Sequence, residues 1–134
     1  MNRRDFLVLS ASMTLVPFAA RANATLYTPG SAEAAMDAGK IVLLDFWASW
    51  CSTCAAQERV LADLKAENPA YAQNIEFFIV DWGEHGKGKL SKSLKIPRRS
   101  TLVALKGRKE LGRIVAGTSK ADIKALLDTA LAAS

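Results

Sequence analysis

The chain has 134 residues, half of them hydrophobic and 23% charged, with two cysteines and a net charge of +5. That is the balance of one globular domain with a real core, and it excludes a disordered chain. Residues 1–22 hold three of the 18 basic residues and one of the 13 acidic ones, so the remainder carries only +3. With no basic-aromatic stripe beside that mild charge, nucleic acid is not an expected partner.

The first element is a targeting segment. Asn2-Arg3-Arg4-Asp5-Phe6-Leu7 leads into an apolar stretch from Leu7 to Ala20, broken by Ser, Thr and Pro17. Ala20-Arg21-Ala22 and Ala22-Asn23-Ala24 are small-x-small cleavage sites. The stretch falls short of the about 20 apolar residues a membrane span needs. Arg-Arg-x-Phe-Leu resembles the twin-arginine export signal of bacteria. An ordinary secretory leader and an uncleaved anchor are the alternatives. The expected organisation is an export signal peptide over 1–22 and one domain over 23–134, placed in the periplasm.

In the domain, Ser31 to Ala38 reads as a short helix that stops at Gly39. Ile41 to Trp47 is an apolar run containing a single acid, Asp45, and suits a strand buried on both faces. Cys51 to Glu67 is rich in good helix formers, with Val60, Leu61 and Leu64 as its apolar face; Asn68-Pro69 ends it. Ile75 to Val80 is a second buried strand, followed by a loop at Gly83, Gly86 and Gly88 and a brief helix from Lys89 to Leu94. Thr101 to Leu105 and Glu110 to Val115 are strands about a turn at Lys106-Gly107-Arg108-Lys109, an antiparallel hairpin. Ser119 begins the last helix, with Asp122 as its capping partner and Ile123, Leu126, Leu127 and Leu131 on one face. The first strand–helix–strand unit should cross over right-handed, with parallel strands.

Cys51-Ser52-Thr53-Cys54 follows a buried strand and opens a helix. A bridge across so small a loop staples nothing distant, which argues for chemistry or metal rather than structure. At a helix N-terminus, unpaired N–H groups and the positive end of the dipole favour an anion. The first thiol should therefore ionise below the ordinary value of about 8.5. The thiolate is the species that attacks a disulfide, and the second cysteine, one turn along, can resolve the mixed disulfide.

Asp45-Phe46-Trp47-Ala48-Ser49-Trp50-Cys51-Ser52-Thr53-Cys54 resembles the active-site stretch of thioredoxins, and Val115-Ala116-Gly117 with the closing helix resembles their C-terminal part. The resemblance covers roughly residues 30–132. It implies an α/β thioredoxin fold, a central mixed β-sheet flanked by helices, and a thiol–disulfide oxidoreductase. It also implies catalytic roles: Cys51 as nucleophile, Cys54 as resolving thiol and Asp45 as a buried acid that helps move the proton of Cys54. Trp47 and Trp50 would shield the cysteines. The partners implied are protein thiols and disulfides, with a membrane-bound electron donor if the protein is a reductase. The redox-active disulfide Cys51–Cys54 needs no cofactor, and a monomer is expected.

Two departures stand out. Ser52-Thr53 is neither the Gly-Pro of cytosolic thioredoxins nor the Pro-His of strongly oxidising relatives. The family also carries a cis-proline opposite the cysteines, where this chain reads Ile96-Pro97-Arg98-Arg99-Ser100-Thr101. Matching Ile-Pro makes Pro97 that residue; matching the strand that starts at Thr101 puts Ser100 there. Strand register favours Ser100. A trans Arg99–Ser100 bond is then expected, because a cis bond before a non-proline residue costs about 2.5–4 kcal/mol. Trp50, Arg99, Ser100 and Thr101 become the substrate-binding candidates. The Ser100 hydroxyl could donate to a thiolate, and Arg98 and Arg99 could lower the Cys51 pKa and favour acidic partners.

The rival reading is a metal or iron–sulfur protein on the same two thiols. The family's proline is understood to discourage metal capture, and two chains would supply four thiolates. A binding module that keeps the fold without catalysis is the other rival. His85, the single histidine, reads as plain surface in a Gly-rich loop, and no other metal-ligand spacing is present.

Overall fold

A computed structural model describes residues 24–134, so the expected signal peptide lies outside the described residues. The elements run β1 (Thr25–Leu26), α1 (Ser31–Asp37), β2 (Ile41–Trp47), α2 (Ser52–Glu67), α3 (Ala70–Asn74) and β3 (Glu76–Asp81). They continue with α4 (Trp82–His85), α5 (Lys89–Ser93), β4 (Thr101–Lys106), β5 (Lys109–Val115) and α6 (Lys120–Ala132). The strands form one mixed sheet in the order β1-β3-β2-β4-β5. β2 lies at its centre, parallel to β3 and antiparallel to β4. β4 and β5 make the expected hairpin, with a bulge opposite Ala104 and Leu105.

Alternation along β2 sorts its side chains. Ile41 and Leu43 face a cluster with Leu61 and Leu64 of α2 and Ile123 and Leu127 of α6. Val42, Leu44 and Phe46 face Ala35 and Met36 of α1 and Leu90 of α5. Asp45 shares the parity of Ile41 and Leu43, so its carboxyl is carried to the α2 side. This explains why a strand wrapped on both faces contains one acid.

Helix ends follow local chemistry. α1 stops because Gly39 takes φ of 75°, while its N–H and that of Lys40 bond back to Met36 and Ala35. Asn68, which precedes a proline, is held extended and ends α2. Pro69 then caps the start of α3, where Asn68-Pro69 by itself signals only a helix end; its fixed φ suits a helix start. Tyr71 of α3 donates to Asp128 of α6, tying those helices together. The Gly-rich loop after β3 also begins with a helical turn. Asp81 Oδ1 accepts from the Glu84 N–H at 3.1 Å, a cap whose spacing was legible beneath the glycines. The two-residue β1 had no signal of its own and exists by pairing with β3. His85 is not plain surface: it packs edge-on against Tyr27, 5.0 Å between ring centres. Among the described residues, no helix is long and apolar enough to cross a membrane.

Candidate functional site

β2 delivers the chain to the site and α2 leaves it. Cys51 is the N-cap of α2, and its Sγ accepts from the Cys54 N–H at 3.1 Å. A sulfur has thus taken the place that Ser or Asp usually fills at a helix start. Neither cysteine is in a disulfide. Cys51 is 5% exposed and Cys54 not at all, so one sulfur lies just under the surface with the other beneath it. Ala48, Trp47 and Trp82 pack around them. Trp82 was not singled out from the sequence, since only the end of β3 brings it to the sulfurs.

The loop before β4 closes the site from the other side. Ser100, fully buried, places its hydroxyl 3.0 Å from Cys51 Sγ and 3.0 Å from Cys54 Sγ. Its N–H donates to the Phe46 carbonyl at 2.7 Å, and its own carbonyl accepts from Ala116 N–H at 2.8 Å. Its φ is +63°, a left-handed conformation that costs a serine about 1–3 kcal/mol unless its surroundings impose it. Gln57 of α2 helps to impose it, donating to the carbonyls of Ser100 at 2.9 Å and Gly117 at 2.8 Å. A fully buried glutamine in the α2 face was a missed signal. Pro97 is exposed, three residues earlier, and no described peptide bond is cis, including Arg99–Ser100.

The remaining candidates separate. Arg99 stacks on Trp50, its guanidinium carbon 4.3 Å from the ring centre, and lowers the pKa of the Cys51 thiol. Trp50 is 67% exposed, so it flanks the cysteines rather than covering them, and the shielding role passes to Trp47 and Trp82. Thr101 is fully buried and donates to the Arg98 carbonyl at 2.8 Å; it supports the loop and does not face a partner as expected. Asp45, 5% exposed, borders a cleft of about 320 Å³ with Glu58, Leu61, Lys65 and Phe77.

The charges follow from these contacts. Burial pushes the Cys51 thiol up. Hydrogen bonds from the Cys54 and Ser100 side chains, the Cys54 N–H and Arg99 outweigh that and bring it down to about 7. Burial first, then the neighbouring Cys51, push the Cys54 thiol up. Asp45 is pushed up to about 7, chiefly by burial and then by Glu58 and Cys51, with Lys65 opposing. The site thus holds one thiol ready to ionise near neutrality, one held protonated, and a buried acid that titrates near 7. Among the described residues, no group of three or more His, Cys, Asp or Glu side chains could hold a metal, so a metal on these thiols needs ligands from elsewhere.

The Thioredoxin family profile matches residues 28–129. This chain belongs to the thioredoxin family. It is 30% identical over 95 residues to a Thioredoxin H-type of Brassica campestris, covering 71% of this chain and 72% of that one. It is 29% identical over 90 residues to Thioredoxin H2-1 of Oryza sativa, covering 67% and 60%. Among solved structures, Trxlp from Edwardsiella tarda superposes with a TM-score of 0.69 at 27% identity, covering 78% of this chain and 98% of that one. The thioredoxin of Malassezia sympodialis shares the fold at a TM-score of 0.69 and 21% identity, covering 81% and 93%. With the family shown, the Cys51–Cys54 pair is that of a thiol–disulfide oxidoreductase.

Two measurements check the electrostatics. Iodoacetamide should modify Cys51 with a midpoint near pH 7, and Arg99→Ala should move that midpoint toward the ordinary 8.5; an unshifted midpoint in the variant would remove Arg99 from the account. Because Asp45 is more basic folded than unfolded, its share of stability is present at acid pH and is lost as pH rises from about 4 to 7. Asp45→Asn should abolish that loss. In urea titrations the variant should exceed the wild type at pH 8 by on the order of 4 kcal/mol and lack its slope between pH 4 and 7.

Proposed function

We propose that the protein is an exported disulfide reductase, acting as a monomer on protein substrates in the bacterial periplasm and recharged by a membrane-bound electron donor. The observation that supports the reductase direction is the pair of contacts to Cys51 Sγ, from the Cys54 N–H at 3.1 Å and the Ser100 hydroxyl at 3.0 Å, which help bring its thiol down to about 7. Thioredoxin's nucleophile lies near that value, whereas strongly oxidising relatives reach about 3.5 and owe their potential to a very stable thiolate. Export rests on the Arg3-Arg4 leader and its apolar stretch.

Ser100 stands in this reading at the family's cis-proline position. Support comes from its place just before β4, the start of the family's strand, and from its contact with both sulfurs. The partner's docking face is the exposed Trp50 with Arg99 laid over it, beside Cys51. A guanidinium at that spot favours an acidic residue next to the partner's cysteine.

With a small dithiol as donor, the wild type should reduce insulin catalytically and Cys51→Ser should not. The equilibrium potential of the pair should fall near −270 mV; a value near −120 mV would make the protein an oxidant instead. Expressed with its own leader in a bacterium, the mature chain should appear in the periplasmic fraction, and Arg3→Lys, Arg4→Lys should hold it in the cytoplasm. Export that is untouched by the double variant points to an ordinary secretory route.

A further inference from the structure

The Ser100 hydroxyl makes the same 3.0 Å contact with both sulfurs. One hydroxyl has a single proton to donate and lone pairs with which to accept, so it cannot donate to both at once. In the reduced protein the other contacts decide the direction. Cys51 Sγ already accepts from the Cys54 N–H at the positive end of α2, and the Arg99 guanidinium favours its charge, which makes it the anion. The hydroxyl then donates to Cys51, and so does the Cys54 thiol, which keeps its proton.

We propose that Ser100 is a catalytic residue that serves each sulfur in turn, its O–H swinging from Cys51 to Cys54 when the negative charge moves between them. The thiolate of Cys51 attacks a partner disulfide. A Cys51–S–S–R bond forms, the partner's S–S bond breaks, and the departing partner thiolate takes a proton from water. Cys51 is now uncharged and no longer competes for the donor. The hydroxyl turns to Cys54, whose proton passes to water, and holds the new thiolate. Cys54 attacks Cys51 Sγ and the Cys51–S–R bond breaks. The electron pair leaves on the partner's sulfur, which is protonated by water. The two enzyme sulfurs end oxidised and the partner's two sulfurs reduced. Ser100 is unchanged, and the steps reversed serve the opposite direction of flow.

The surrounding structure suits a hydroxyl that only rotates. The Ser100 backbone is fastened on three sides, by Phe46, Ala116 and Gln57, in a left-handed conformation. Its oxygen therefore stays put while its proton can turn about Cβ–Oγ. Asp45 also faces the α2 side, but its buried Oδ1 has no hydrogen-bond partner. Ser100 Oγ is in hydrogen-bond contact with the Cys54 sulfur.

Ser100→Ala and Ser100→Gly both remove the hydroxyl, and glycine accepts the positive φ freely, so agreement between them isolates the hydroxyl from backbone strain. Two pH profiles are read in each. The first is iodoacetamide modification of Cys51 in the reduced protein. The second is single-turnover release of 2-mercaptoethanol from a mixed disulfide prepared on Cys51, which needs neither the natural partner nor a direction of electron flow. Loss of a charge-assisted hydrogen bond should lower the Cys51 thiolate fraction at pH 7, and the release rate at pH 7, by about tenfold each. Release should recover at alkaline pH, where Cys54 ionises unaided. A shift in the Cys51 profile alone, in the release profile alone, or in neither, with folding intact by circular dichroism, overturns the proposal. Because wild-type insulin reduction is measured separately, failure of the reductase reading leaves this test standing.

Discussion

The protein's chemistry depends on one hydrogen bond: the Cys54 N–H given to Cys51 Sγ across the first turn of α2. A helix start has spare N–H donors and the positive end of its dipole, and here a sulfur uses them. Burial works against the charge and is the largest single influence on Cys51. It loses because several donors converge on the same atom, from α2 on one side and from Arg99 and Ser100 on the other. Cys54, one turn further in, meets the same burial with less help and is held protonated. The order of events in disulfide exchange follows from this difference in depth.

Keeping those donors in place requires polar groups inside the sheet-and-helix sandwich. Gln57 ties the Ser100 and Gly117 carbonyls to α2 but leaves its own Oε1 without a partner, and Asp45 Oδ1 and Arg99 Nε are likewise buried and unpaired. Each unpaired buried group costs about 1–3 kcal/mol. Two apolar clusters on either side of β2 offset that cost. Three of the four such atoms among the described residues, and the left-handed Ser100, belong to the residues around the cysteines and to Asp45; the fourth is Glu33 Oε2 on α1.

A serine against both sulfurs lets the loop before β4 do what a proline there could not. A proline ring offers the sulfurs an apolar wall and no proton donor. A hydroxyl offers a donor, but its backbone must then be fastened by other means, and in this chain the Gln57 amide supplies part of the fastening. Position 57 on α2 and position 100 before β4 are thus coupled through a carbonyl, although they are far apart in the chain.

Local chemistry was enough to determine the main strands and helices from the residues alone. The apolar run of β2, with its single acid, requires burial on both faces, the Gly39 stop and the Ser119 cap mark helix ends, and two thiols three positions apart at a helix start can do little but redox or metal chemistry. The resemblance of the decapeptide to the family's singled out Asp45. Tertiary structure decided the rest: that Ser100 and not Pro97 meets the sulfurs, that Thr101 faces inward, that Trp82 replaces Trp50 as cover, and that Gln57 reaches across to the loop. Each of these depends on which strand ends lie side by side. Pairing between β2 and β4, and between β4 and β5, brings residues 46, 100 and 116 together by contacts tens of positions apart in the chain. No local propensity or periodicity carries that information.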